Sequence, residues 1–519
     1  MSASREKKNR QELASQGYVD PKVIREAEEK KAQKKAKAVY GVIAAIFVIV
    51  AVGSLLISSG LLERNAKAVS IDGVEYTAAE LDFYYNSTYN NVANNQYASY
   101  MGLDTSAPLN NQVLSDMAKM LLGVESTEEM TWHEYIMDTA KTSMVDVERI
   151  YAAAIADGED PKDAHVTEEI DATLELIGQY AKQSGYSTKE YLRLLYGKNM
   201  TEDLFRQVAT KTHVAGHYES EYVASLTYTE AEMEQYYAAN KASFDVAAYE
   251  SMYFAGLPET KYDADNKAID PTDEEKAEAK KAAADAAAAV LERVKNGEAM
   301  ADIAKDYEGV ATYNNSVNGT YSGSDMSQWL FDEARVDGDY TLISGDPASN
   351  VVIFHSVGRH DYNTIDVRHI LVSVDVSGLD STAETYEADK QALWDEAKAE
   401  AEKILADWKA GEATEESFGE MAAQLSDDGA DHGLYEDVYK GKMTTNFENW
   451  CFDAARKAGD TGIVETPYGY HVMYFVGEDA PYWQVQVENA MVNEDYAAWL
   501  EELTSDAEVV ELKGIKHVG

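Results

Sequence analysis

Cysteine is nearly absent from this chain: there is one, Cys451, in 519 residues. A single thiol excludes an intrachain disulfide and any zinc site built on cysteines. Proline is scarce, with 8 residues, and positive charge is outweighed. The 45 Lys and Arg stand against 93 Asp and Glu, for a net charge of −48. So acidic a body repels nucleic-acid phosphates, which excludes a nucleic-acid partner. It suits solubility and cationic or unfolded partners. Several reaction classes also lack their motifs. No G-x-S-x-G elbow and no phosphate-binding P-loop is present. Met137 stands where a zincin would place a second histidine after His133-Glu134. Asp427, Asp428 and Asp431 miss the spacing of a calcium-binding EF-hand. No metal and no cofactor are expected.

What is present begins with one long apolar run. Val39 to Gly60 reads VYGVIAAIFVIVAVGSLLISSG, without a charge. That is long enough to cross a hydrocarbon core of about 30 Å as a helix. Residues 1–38 before it hold 11 Lys and Arg against 6 Asp and Glu. Positive charge stays on the cytoplasmic side. The expectation is therefore a cytoplasmic tail at 1–38, an uncleaved single-pass anchor at 39–62, and an acidic remainder outside the membrane. The small-residue site Ala66-Lys67-Ala68 is a poor match to a signal cleavage site.

The apolar fraction of 45% supports real cores, and the length suits two to four domains. Residues 69–244 read as mostly helical. A short strand and an Asp72-Gly73 turn precede Thr77, which with Glu80 spells a capping box. Tyrosine is abundant, with 35 in the chain, and offers a broad apolar face with a wet tip. A helix at 226–244 is expected to be capped by Thr227 or Thr229.

An internal repeat follows. WLFDEARVDGD (329–339) matches WCFDAARKAGD (450–460) at seven of eleven positions, 121 residues apart. YESMYFAG (249–256) falls opposite VRHILVSV (367–374). Two units of one plan result, 245–360 and 364–480, each alternating strands and helices as a compact α/β domain does. The expected fold is a multidomain α+β chain. Its last segment, 481–519, reads as an amphipathic helix and a short strand that pack back on the helical region.

The second unit carries VRHILV (367–372), FGEMAAQLSDD (418–428), GLYEDVYKGKMTTNFENWCFDAAR (433–456) and TGIVETPYGYHVMYFVG (461–477), in that order. In these motifs it resembles a parvulin-type peptidyl-prolyl cis/trans isomerase. More loosely, the whole plan resembles anchored extracytoplasmic foldases of the PrsA, SurA and PpiD kind. The resemblance implies two facing strand histidines, His369 and His471, beneath the substrate proline. It implies an electrostatic role for Asp428 and a proline pocket from Met443 and Phe447 with Leu434 or Tyr435. Thr466 matches a family hydroxyl, and Tyr468 stands where serine is frequent. The usual glycine pair is replaced by Asp431-His432-Gly433. Implied partners are unfolded or newly secreted chains with X–Pro bonds. Ser251 falls opposite His369 and about Val352 opposite His471, after a two-residue gap, so the first unit is expected to be catalytically degenerate. A non-catalytic holdase or scaffold and a partner-specific adaptor at the secretion site remain open alternatives.

Overall fold

The computed structural model describes residues 65–263 and 266–519. The expected tail at 1–38 and anchor at 39–62 lie outside them. Among the described residues no helix is long and apolar enough to cross a membrane. The chain divides into two compact units, one of residues 65–227 with 492–519 and one of 228–491.

The first unit opens with a hairpin, β1 (Lys67–Ile71) and β2 (Val74–Thr77). Six helices follow: α1 (Ala78–Ala93), α2 (Asp116–Leu121), α3 (Trp132–Asp157), α4 (Ala164–Gln183), α5 (Thr188–Tyr196) and α6 (Glu202–Ser225). Thr77 and Glu80 form the reciprocal capping box that starts α1. Leu81, Tyr84, Ile136, Ala140 and Met144 pack the seam between α1 and α3. Their helical spacing turns one apolar stripe of each helix inward. Ile177, Leu192, Leu195 and Phe205 build a second core from α4, α5 and α6.

The second unit begins with α7 (Glu230–Ala239), capped by Thr229, and the short α8 (Lys241–Phe244). Residues 228–244, expected with the helical region, therefore belong to the α/β unit. The first repeat contains β3 (Val246–Phe254), α9 (Asp273–Lys295), α10 (Met300–Ala304), β4 (Thr312–Thr320), α11 (Asp325–Leu330), β5 (Tyr340–Ser344) and β6 (Ser349–Gly358). The second contains β7 (Asn363–Ser373), α12 (Tyr386–Ala410), α13 (Glu415–Leu425), β8 (Leu434–Val438), α14 (Thr445–Cys451), β9 (Thr461–Thr466) and β10 (Gly469–Pro481). Their antiparallel sheets share one order, β4-β3-β6-β5 and β8-β7-β10-β9. The repeat seen in sequence is thus a repeat of topology.

Helices cover both faces of the second sheet, so β7 is apolar on both sides. Ile370 joins Ala397, Ala401, Ile404, Trp408 and Phe418 from α12 and α13. Ile365 and Val367, on the alternate positions, join Phe447 and Cys451 of α14 with Met473 and Phe475 of β10. Burial raises the Cys451 thiol pKa to about 12, so it packs as a small apolar group. After β10 comes α15 (Tyr482–Thr504), whose Trp483 and Val487 bury with Phe244 in the second unit. From Val492 the chain belongs to the first unit, and β11 (Val509–Glu511) there pairs with β1.

Candidate functional site

His369 and His471 lie on neighbouring strands. His369 pairs with Met473 across β7 and β10, and His471 pairs with Leu371. The two histidines are therefore diagonal neighbours on one sheet face, the face that carries Phe447. Their Nδ1 atoms are 3.1 Å apart. His471 Nε2 is 2.9 Å from Thr466 Oγ1 on β9. His369 Nε2 has no hydrogen-bond partner and lies 3.9 Å from Asp428 Oδ2.

One proton arrangement suits all of these contacts. If the Thr466 hydroxyl donates to His471 Nε2, then His471 Nδ1–H donates to His369 Nδ1. The remaining proton of the neutral His369 ring sits on Nε2, facing the Asp428 carboxylate. The opposite arrangement would aim a bare ring lone pair at that carboxylate and leave Thr466 only the 3.5 Å contact to the Gly469 carbonyl. Burial holds both rings neutral, lowering each pKa to about 4; for His471 the neighbouring His369 adds to the effect, and Asp428 opposes it in both.

The loop that brings in Asp428 is laced to β7. Ser426 Oγ accepts from Leu371 N–H at 3.0 Å and from Asp428 N–H at 3.1 Å. The Asp427 carboxylate accepts from Ser373 N–H at 2.8 Å and from its hydroxyl at 2.5 Å. Arg368, on the opposite face of β7, donates to the carbonyls of Asp431 and His432 and pairs with Glu415 at 3.1 Å. Asp431, His432 and Gly433 are three successive left-handed residues, with φ of 50°, 54° and 69°. The departure from a glycine pair therefore places two side chains in a conformation that glycine takes more readily.

Above the histidines stand aromatic rings. Tyr435 lies 4.4 Å from the His369 ring centroid and donates its hydroxyl to Asp428 Oδ2 at 2.5 Å. Burial, reinforced by that carboxylate, pushes the Tyr435 phenol pKa up. Phe447 meets His471 edge-on at 5.3 Å and His369 at 5.7 Å. Met443 packs against the same cluster. Of the expected site residues, the structure gathers His369, His471, Asp428, Thr466, Tyr435, Phe447 and Met443. It separates two. Tyr435 pairs with Val367 and Leu434 with Arg368, so strand alternation turns Leu434 to the other face. Tyr468 sits at the β9–β10 turn with its side chain 64% exposed. Ser426, Asp427, Arg368 and Gly433 were missed as supports. The run Ser426-Asp427-Asp428-Gly429 signals a turn but not the backbone N–H groups that Ser426 and Asp427 hold, and nothing in the pattern signals the roles of Arg368 and Gly433.

The first repeat lacks this apparatus. Ser251 pairs with Val352 as His369 pairs with Met473. The constant offset of 121 residues holds through the final hairpin: Phe354 and Gly338 exchange the bond that Phe475 and Gly459 make. No gap is needed, so the counterpart of His471 is Asn350, not Val352. Asn350 donates to Met326 Sδ at 3.5 Å, and its Oδ1 is buried without a partner. Met326 takes the place of Phe447. His355 faces away, within 3.3 Å of Glu250 and 3.0 Å of Asp337.

A buried, neutral pair of strand histidines under aromatic rings suits chemistry in which no covalent bond breaks. Residues 369–477 match the family model described as Rotamase, PPIC-type PPIase domain. The second repeat is thus a parvulin-type peptidyl-prolyl isomerase domain. Among solved structures, PrsA of Bacillus anthracis is similar at 24% identity over 28% of this chain and 58% of its own, with a TM-score of 0.17. PrsA of Bacillus subtilis is similar at 21% identity over 29% and 52%, with a TM-score of 0.20. A SurA-like chaperone of Campylobacter jejuni is similar at 14% identity over 70% and 90%, with a TM-score of 0.16. The chain spans a little over half the length of those PrsA structures. No curated protein matches it.

Proposed function

We propose that this chain is a membrane-anchored, extracytoplasmic isomerase and chaperone. Its clients are unfolded or newly secreted polypeptides containing X–Pro bonds. The observation that carries this reading is the 3.1 Å contact between His369 and His471, sealed beneath Phe447 and Tyr435 inside the matched domain. An X–Pro bond turns slowly because amide resonance sets a barrier of about 18–20 kcal/mol. The twisted amide has lost that resonance. A catalyst need only bind it better than the planar forms. An apolar slot of Phe447, Met443 and Tyr435 grips the proline ring and sheds water from it. The preorganised chain Thr466–His471–His369–Asp428 fixes dipoles beneath it at no cost of reorganisation. His369 has no exposed surface and His471 7%. The pair therefore acts as a rigid floor, with His369 positioning His471. Asp428 polarises the chain and carries the charge that faces the substrate.

In this proposal the helical unit holds client segments, and the first repeat serves as a spacer or client-binding module without turnover. Residues 1–38 stay in the cytoplasm, 39–62 span the membrane and the rest lies outside. The basic flank and the uncharged run support that topology. Two experiments test the proposal. Isomerisation of a proline peptide by the full chain should be fast and should depend on His471. Protease added outside wall-stripped cells should digest the body and leave a short anchored stub; a protected body would overturn the topology.

A further inference from the structure

Three of the ten histidines, His165, His213 and His217, lie together on α4 and α6 of the first unit. The rings of His165 and His213 are 6.3 Å apart. On α6, His213, His217 and Glu221 follow at four-residue intervals and so share one helix face. The loop after α3 brings Glu159 to the middle of that row. Glu159 Oε1 lies 4.0 Å from His217 Nδ1, and Glu221 Oε1 lies 3.8 Å from His217 Nε2. Both distances are too long for hydrogen bonds. One donor atom from each of the three residues falls within 4.8 Å of the other two.

We propose that Glu159, His217 and Glu221 form a binding site for a divalent transition-metal cation of the zinc class. Zinc bonds of about 2.0–2.1 Å at tetrahedral angles put ligand atoms roughly 3.3–3.5 Å apart. The three donors need to close by about an ångström. One imidazole gives one nitrogen to an ion, so one carboxylate must also swing to the nitrogen that the other faces. The side chains of Glu159, His217 and Glu221 are 34%, 47% and 60% exposed, which leaves room for both adjustments. An imidazole with two carboxylates favours zinc-like ions over calcium and magnesium, which prefer oxygen alone. An ion here would staple the α3–α4 loop to α6. It would stabilise the helical unit by binding the folded form alone. The site belongs to the first unit and the isomerase histidines to the second, and the inference does not rest on the proposed function.

The test is calorimetric titration of the chelator-stripped full-length chain, in detergent micelles, with zinc chloride and separately with calcium chloride. A thermal melt is run at each zinc concentration. The expected result is one zinc ion per chain, bound far more tightly than calcium, with a melting temperature that rises with zinc. His217→Ala should weaken zinc binding at least about tenfold and abolish the thermal shift, and Glu159→Gln should weaken it less. Circular dichroism of the metal-free variants should match the parent. Unchanged zinc affinity in His217→Ala would overturn the proposal. So would zinc held no more tightly than calcium, the signature of scattered surface carboxylates. Loss of binding in His355→Ala instead would place the metal on Glu250 and Asp337 and refute the assignment.

Discussion

Gly433 and His369 meet backbone to backbone. A Cβ added to Gly433 would lie 2.2 Å from the His369 carbonyl oxygen and 2.9 Å from the Ala422 side chain. The turn that carries Asp428, Asp431 and His432 thus rests directly on the strand that carries the histidine. Gly433→Ala meets both a backbone clash and a positive φ, and should cost at least about 2 kcal/mol. Asp431→Gly and His432→Gly should not destabilise, because each removes a side chain from the left-handed region. Urea unfolding of the three variants checks this. Gly433→Ala as stable as the parent would show that the turn does not press on β7.

Acid should unfold the isomerase domain through its histidines. Both rings have pKa values lowered from 6.5 to about 4. The folded state therefore binds fewer protons than the unfolded state between those values. The stability the rings contribute is fully present above 6.5 and is lost as pH falls towards 4. A shift of that size in one buried ring corresponds to about 3 kcal/mol. Asp366, raised to about 6 by burial, works in the opposite direction: its contribution is lost as pH rises through 6. Urea midpoints of the parent and of His471→Asn between pH 7 and pH 4.5 separate the two effects. The parent should lose more stability on acidification than the variant, and equal losses would contradict the neutral pair.

Thr466→Val removes the hydroxyl that holds His471 Nε2 and keeps the shape. It should cost about 1–3 kcal/mol of stability, since the ring nitrogen stays buried without a partner. It should also slow isomerisation less than loss of the ring itself. The measurements are thermal unfolding and turnover of a proline peptide.

The first repeat should contribute no turnover. Ser251 and Asn350 occupy the histidine positions, and Met326 replaces the aromatic Phe447. In the full chain, the double variant His369→Ala with His471→Ala should therefore turn over no faster than the uncatalysed blank. Residual catalysis that survives the further changes Asp428→Asn and Phe447→Ala would locate activity in the first repeat.

Much of this was legible in the chain itself. Both histidines sit in short apolar strands flanked by ordered motifs, and the repeat at 329–339 and 450–460 announced the doubled topology. Strand pairing supplied what the letters could not. The choice between Leu434 and Tyr435 depends on which of them faces Val367, and a one-residue change of register would reverse it. In sequence alone Val352 falls opposite His471 once a two-residue gap near the loop is allowed, whereas paired backbone bonds keep the offset constant and give Asn350. Tyr468 is expected at the site only because it stands at a family position where serine is frequent, and the tip of a tight hairpin leaves it 64% exposed. The support from Ser426 and Asp427 runs through backbone N–H groups, which leave little trace in side-chain pattern.

The most direct test of the account is the rate of proline-peptide isomerisation by the full chain and by its His471→Ala variant, with folding of both checked by circular dichroism. The account predicts a folded variant slowed at least about tenfold, equivalent to about 1.4 kcal/mol of lost transition-state stabilisation. A folded variant that turns over at the parent rate would contradict it.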